Sequence, residues 1–463
     1  MSAAPFRADL GGAPRRLFHC ERAWLGGPSP VADVLIDTAG DRITAVSPGA
    51  VAPPDATRLP GLTLPGLVNT HSHVFHRAIR GRTHTGTADF WQWRSAMYAV
   101  AERLDPDSLY TLARATYAEM AVSGVTSVGE FHYLHAGPAG RPYANPNAMG
   151  EAVIRAANDA GLRITLLDAC YLQSDVGGSP LVGVQQRFGD GSWQAWVERV
   201  GQLAPPEELA RIGVAIHSVR AVPRAALSPV AEYAHGHHLP LHVHVSEQPA
   251  ENRASAETYG ITPTAVLAGE GVLGAMTTAI HATHLTGADI ELLGASRTSI
   301  SMCCTTERDL ADGIGPAVRL TRAGSPLCVG SDSQAVIDLW EEGRAIELHE
   351  RLRTGTRGHL RAEEIARALT ANGAASIGWD AGRIAVGALA DLVTVRLDSP
   401  RTAGARADDL LAAALFSATS ADVTTVVVGS RVIVDGGRHC LVPDVGESLT
   451  AAIAACFGQT ANT

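Results

Sequence analysis

The sequence predicts an α/β protein: a distorted (β/α)8 TIM barrel carrying a composite β-sandwich built from both flanks of the chain. Two patterns point there. Between residues 64 and 329, eight short β-branched or apolar runs alternate with longer segments of helical periodicity, as expected for a parallel sheet covered by helices. That span is close to the ~250 residues usual for such a barrel. Outside it, Gly and Pro cut the chain into short runs, as in a small antiparallel sheet. The expected division is 1–63, 64–379 and 380–463, with the outer two segments combining into one β domain.

The elements follow in order. Runs at 16–23, 34–37 and 43–46 supply the first flank. The barrel strands are expected at 64–69, 125–131, 163–169, 211–216, 239–245, 276–280, 298–303 and 326–329. Between them, segments such as 107–123 and 150–160 place apolar residues at helical spacing, with Asp or Pro near their starts. Stretches 83–89 and 177–183 read as long loops at the barrel top, where substrate contacts usually lie. After residue 383 the flank style returns, with runs at 387–395, 423–428 and 431–434. No internal repeat or low-complexity tract interrupts the pattern.

Composition excludes several classes. The net charge of −10 and the lack of a basic stripe argue against nucleic acid. No apolar run approaches the ~20 residues that span a bilayer, and residues 1–18 lack an apolar signal core. A cytoplasmic protein without a membrane partner is expected. Seven cysteines, with no C-x-x-C, do not form a disulfide pattern. Cys303 and Cys304 are expected on one strand, pointing to opposite faces. All 37 basic residues are arginine. The absence of lysine excludes Schiff-base chemistry, a pyridoxal-phosphate anchor, a P-loop and a carbamylated lysine bridging two metals. Any metal centre is therefore expected to be mononuclear.

The chemistry gathers at strand ends. His71 and His73 flank Ser72 behind the apolar run 62–68, and residues i and i+2 of an extended chain share a face. Two imidazoles leaving a strand side by side can bind one metal. Other strands end near His244, His281 and Asp332. His71, His73, His244 and Asp332 form a ligand set for zinc, one per chain, with iron or manganese as alternatives. His244 is preferred over His242 because it lies nearer the strand end, leaving His242 as a core histidine. Glu247 follows the turn after His244, where a carboxylate can carry a proton between water and a leaving nitrogen. His281, preferred over the loop residue His284, can orient the hydrolytic water. Asp332 can bind metal and also accept that water's proton.

In that order, the segment 65–73, the His244/Glu247 pair, His281, Asp332 and the late Gly387-x-x-x-Asp391-Leu392-Val393 resemble the amidohydrolase superfamily, over nearly the whole chain. The mononuclear deaminase branch uses such ligands, which implies catalytic roles for Glu247, His281 and Asp332. Within the superfamily the chain is most similar to the formiminoglutamate deiminases of histidine degradation. That similarity rests on residues 71–78, Phe90-Trp91-Gln92-Trp93-Arg94, Glu130-Phe131-His132-Tyr133, His217-Ser218-Val219-Arg220, Cys304-Thr305-Thr306-Glu307 and Gly330-Ser331-Asp332-Ser333.

The resemblance implies hydrolysis of N-formimino-L-glutamate to N-formyl-L-glutamate and ammonia. It also implies that Arg94 and Arg220 bind this dicarboxylate substrate, helped by His217 and Tyr133. Planar guanidinium groups suit carboxylates. Trp91 and Trp93 are expected to pack their loop. Two positions depart from the family: His76 stands near the formimino group where some members carry glutamine, and Cys304 stands where proline is common. His76 can still donate one hydrogen bond. The alternatives are a deaminase or chlorohydrolase of a purine, pterin or triazine ring, and a non-catalytic metal-binding barrel. Oligomeric state is left open, with a homodimer among the options.

Overall fold

In the computed structural model, residues 14–84, 90–204 and 208–458 are described, without the side chains of Phe90 and Trp91. Two eight-stranded sheets organise the chain. The first strands, β1 (Arg15–Ala23), β2 (Val31–Ala39), β3 (Arg42–Ser47) and β4 (Thr57–Pro65), belong to the flank sheet. The barrel follows as β5 (Leu67–Ser72), β6 (Val125–His132), β7 (Arg163–Cys170), β8 (Ala210–Ile216), β9 (Leu241–Val245), β10 (Thr277–His281), β11 (Ser299–Met302) and β12 (Leu327–Val329). β13 (Leu392–Val395), β14 (Val423–Val428), β15 (Arg431–Asp435) and β16 (Arg438–His439) complete the flank sheet.

The barrel strands pair in parallel with their sequence neighbours, and helices connect most of them. The helix Pro106–Val122 shows how local sequence sets such a connection: Asp105 accepts the Ser108 N–H, Ser108 returns the bond, and Pro106 opens the first turn. β6 and β7 are buried at every position, as parallel strands covered on both faces are. Each fully buried Leu or Ile there contributes roughly 1.5–3 kcal/mol. Among the described residues the one backbone bridge between the edges of β12 and β5 joins Ser72 and Asp332, so the barrel is nearly closed.

The flank sheet runs β16-β15-β14-β13-β4-β1-β2-β3. It curls because the segment before β13 returns to β3: the Ile43 N–H donates to Ala388 O at 2.9 Å, and the Ala390 N–H to Asp41 O at 2.8 Å. Phe18, Val34, Ile36, Leu59, Leu392 and Val427 fill the space enclosed. Thus the two flanks form one layer system, as expected.

Two local expectations change. Leu64 and Pro65, expected to open the barrel, end β4 of the flank sheet instead. The chain passes between sheets at Gly66, where a Cβ would collide with the Thr126 side chain. β5 consequently extends through His71 and Ser72. Cys303 and Cys304 do not share a strand: β11 stops at Met302 and Cys304 starts the short helix Cys304–Asp309. The Glu307 carboxylate accepts the Cys303 N–H at 2.9 Å and turns the chain there. Residues 85–89 of the expected 83–89 loop lie outside the described residues. Among the described residues no helix is long and apolar enough to cross a membrane.

Candidate active site

Four strand ends converge at one mouth of the barrel. His71 and His73 leave β5, His244 lies on β9, His281 ends β10, and Asp332 follows β12. Gly330 permits the approach of β12 to β5, since a Cβ there would lie 2.6 Å from the His71 Cβ. Several residues at these ends adopt left-handed backbone without being glycine: Ser246 at φ 53°, His281 at 67°, Ala282 at 52° and Asp332 at 45°. Such conformations cost about 1–3 kcal/mol each and cluster where function demands a particular side-chain direction.

His71, His73, His244 and Asp332 bring one donor atom each within 4.8 Å of the others, all buried. Nε2 of His71 lies 3.1 Å from Nε2 of His244 and 3.2 Å from Oδ1 of Asp332. Nε2 of His73 lies 3.4 Å from the same oxygen. The Nδ1 atoms of His73 and His244 each face a backbone carbonyl at 2.9 Å, Phe131 O and His217 O respectively. A carbonyl only accepts, so each Nδ1 carries the hydrogen and each Nε2 keeps its lone pair. Burial, foremost, holds His71 down to about 3. Asp332 stays far below the usual carboxylate range: burial opposes its charge, but the His71 hydrogen bond and the neighbouring imidazoles outweigh it. Imidazole nitrogens and an ionised carboxylate converging on one point fit a divalent metal ion.

Beside them, His281 Nε2 lies 3.7 Å from both Glu247 Oε1 and Asp332 Oδ2, and its Nδ1 lies 3.5 Å from Glu307 Oε1. Burial disfavours charge on His281, yet Glu247, Glu307 and Asp332 together lift it to about 10. Three acids around the ring thus favour its protonated form. Glu247 also meets Arg220 Nη2 at 3.3 Å, while Arg220 Nε lies 3.1 Å from the buried Glu251.

Above this floor opens a cavity of about 600 Å³, its mouth included. His76, Arg94, Tyr133, His217 and Arg220 all line it, so the residues named for substrate contact share one wall system. His76 Nε2 pairs with the Tyr133 hydroxyl at 2.9 Å. Arg94 Nε donates to the Tyr98 hydroxyl at 2.7 Å. Burial, then Arg220, hold His217 well below its ordinary value. Trp93 faces the cavity edge-on to His76 at 5.2 Å and does more than pack its loop. The Trp91 side chain lies outside what is described. His242 faces away from the cluster, 3.0 Å from Ser376 O, and His284 bonds to Asp312 O in a loop.

Sequence reading missed Tyr98, Tyr171 and Phe188 on the cavity wall and Glu251 and Glu307 beneath it. Glu307 stood within a quoted motif, which was the one signal available. The aromatics carried none, because a buried Tyr reads like any core residue.

The pattern of the amidohydrolase family matches residues 62–433. The chain belongs to the amidohydrolase family, and its site is one for hydrolysis of a carbon–nitrogen bond. It is 35% identical over 420 residues to formimidoylglutamate deiminase of Pseudomonas aeruginosa, covering 88% of this chain and 92% of that one. It is 29% identical over 425 residues to the 5-methylthioadenosine/S-adenosylhomocysteine deaminase of Pelotomaculum thermopropionicum, covering 89% and 91%. Among solved structures, an amidohydrolase from Brucella melitensis matches with TM-score 0.86 at 29% identity, covering 96% of this chain and all of that one.

Proposed function

We propose that this protein hydrolyses N-formimino-L-glutamate to N-formyl-L-glutamate and ammonia. The observation that carries the reading is a pair of guanidinium groups, Arg94 and Arg220, on the wall of the cavity whose floor is the His71, His73, His244 and Asp332 cluster. A substrate with two carboxylates needs two such groups; a neutral ring needs neither. The similarity to a formimidoylglutamate deiminase supports the same choice.

His71, His73, His244 and Asp332 would hold one zinc ion, with iron or manganese as alternatives. When bound, the metal supplies Lewis acidity that makes water nucleophilic near neutral pH. Arg94 and Arg220 bind the carboxylates, with His217 and Tyr133 alongside, and place the formimino carbon over the cluster. His281 presents its Nε2–H to the incoming water oxygen and, with Asp332, orients it. Water adds to the formimino carbon and the bond to the terminal nitrogen breaks. Glu247 carries the two protons of the water to that nitrogen in turn, the first as water adds and the second from the adduct's hydroxyl, so that nitrogen leaves as ammonia while the formyl C=O forms. His76, tied to Tyr133, borders the formimino group. All seven cysteines are free, which agrees with a cytoplasmic setting.

A heterocyclic substrate is the second reading, favoured by the ring of Trp93, Tyr98, Tyr133, Tyr171 and Phe188 around the cavity and by the nucleoside deaminase among the relatives. Ammonia release by the zinc-loaded protein, offered N-formimino-L-glutamate and adenosine-type amines in parallel, separates the two. Arg94→Met should raise KM for the dicarboxylate about 10- to 100-fold, the loss of a charge-assisted contact. Turnover of the amines alone, untouched by Arg94→Met, would overturn the proposal.

A further inference from the structure

The barrel has a seam, and the candidate metal ligands sit on both of its edges. β7 and β8 pair continuously from Ile164↔Ala210 to Cys170↔Ile216, whereas among the described residues the edges of β5 and β12 share one backbone bridge, between Ser72 and Asp332, besides the Thr70 hydroxyl's bond to Val329 O at 2.8 Å. Two backbone bonds bracket that bridge: His73 N–H to Asp332 O at 3.1 Å and Asp332 N–H to His71 O at 3.0 Å. His71 and His73 lie on one edge, Asp332 on the other.

A chain of side-chain hydrogen bonds crosses this seam. Asn69 Nδ2 donates to Ser331 Oγ at 2.7 Å. Ser331 Oγ donates to Gln334 Oε1 at 2.8 Å, and Gln334 Nε2 to Ser72 Oγ at 2.8 Å. Ser72 Oγ donates to Glu130 Oε2 at 2.6 Å, while Glu130 Oε1 accepts the Val74 N–H at 2.7 Å. The Ser331 N–H closes back on Asn69 Oδ1 at 3.0 Å. Asn69, Ser72, Ser331 and Gln334 are completely buried, and Glu130 is 1% exposed. Both Asp332 and Gln334 hold left-handed backbone, at φ 45° and 60°, which persists only where surroundings enforce it.

We propose that Gln334 and Ser72 are positioning residues that clamp the seam, so that His71, His73 and Asp332 converge before an ion arrives, and that the ion then staples the barrel shut. Ligands already gathered cost less to order on binding, and partners behind ligands typically change metal affinity 10- to 100-fold. The inference rests on the metal-centre reading.

The test uses Gln334→Leu and Ser72→Ala, singly and combined. Zinc affinity is read by competition with a chromogenic chelator, and amide hydrogen exchange is followed with and without zinc. Each single variant should weaken zinc binding about 10- to 100-fold. The double variant should be no weaker than the worse single, since both cut one chain. In metal-free variants the His73 and Asp332 amides should lose protection and regain it with saturating zinc, while β7 and β8 stay unchanged. Unchanged zinc affinity, additive losses or protection lost alike across the barrel would overturn the clamp. If the wild-type chain takes up neither zinc, iron nor manganese, the metal-centre reading fails, and exchange at the two amides still decides whether Gln334 and Ser72 hold the seam.

Discussion

Replacing His281 with Asn removes the imidazole from the centre of the proposed chemistry. Asn is the substitution of choice because His281 sits at φ 67°, a region Asn tolerates better than other residues with a Cβ. The backbone should therefore hold, and the loss is chemical. Gone is the Nε2–H that lies 3.7 Å from both Glu247 and Asp332. One preorganised donor to a developing oxyanion is worth about 10²–10³ in kcat. Glu247 also loses one of its two partners, keeping Arg220, and a mispositioned proton carrier accounts for up to a further ~10²-fold within the usual range for general acid–base catalysis. A fall in kcat of about 10²- to 10⁵-fold is expected, with KM little changed, because Arg94 and Arg220 lie elsewhere on the wall. Ammonia release gives the rate, circular dichroism the fold, and metal analysis the ion. A folded, metal-bearing His281→Asn variant with kcat within about tenfold of wild type would refute the assignment of His281.

Chelation should abolish ammonia release and added zinc should restore it; undiminished turnover in protein with no detectable metal would exclude a metal-dependent reaction. His439 gives a pH signature remote from the site. Its Nε2–H donates to Ala160 O at 3.1 Å, and its Nδ1 accepts the Leu441 and Val442 N–H groups at 3.0 and 3.1 Å. Burial, foremost, brings this histidine down from 6.5 to about 4. The unfolded chain therefore binds the proton first, and stability is retained above about pH 6.5 and lost as pH falls towards 4, by ~3 kcal/mol. Urea unfolding of His439→Gln against wild type should show a flatter pH dependence; parallel curves would sink the idea. Asp391 pairs with Arg163 Nε at 2.8 Å, both side chains 1% exposed, and accepts the Gly429 N–H at 2.8 Å. Asp391→Ala leaves the buried Arg163 guanidinium, between the barrel and the flank sheet, with the Glu208 carbonyl at 3.0 Å and the more distant Asp41 at 3.5 Å, so a loss of up to about 3–5 kcal/mol is expected in urea melts. A change under about 1 kcal/mol, the size of an exposed pair, would show that the pair does not couple them.

Reading residues in order captured the barrel because parallel strands buried on both faces leave long apolar runs, which repeat between amphipathic helices. The candidate ligands were legible for a related reason: paired histidines and isolated acids at strand ends are rare enough to stand out. Glu251, Glu307 and Gln334 did not stand out, although they support the groups that did. A Glu three or four residues into a helix looks like an ordinary cap, as Glu307 does in the helix Cys304–Asp309. Arg220 was expected to face substrate, and it does line the cavity. Its pairing with Glu247 and Glu251 depends on residues more than twenty positions away, which no spacing rule encodes.

The order of residues was enough for the eight-strand alternation, the composite flank sheet and the choice of four candidate ligands that converge in the fold, since these depend on periodicity and on chemistry that local sequence carries. The passage between sheets at Gly66, the seam between β5 and β12, and the acids gathered around His281 depend on closure of the chain upon itself. Closure brings Asn69 to Ser331 and His71 to His244, and contacts across such separations are set by the packing of the whole barrel, which no window of sequence contains.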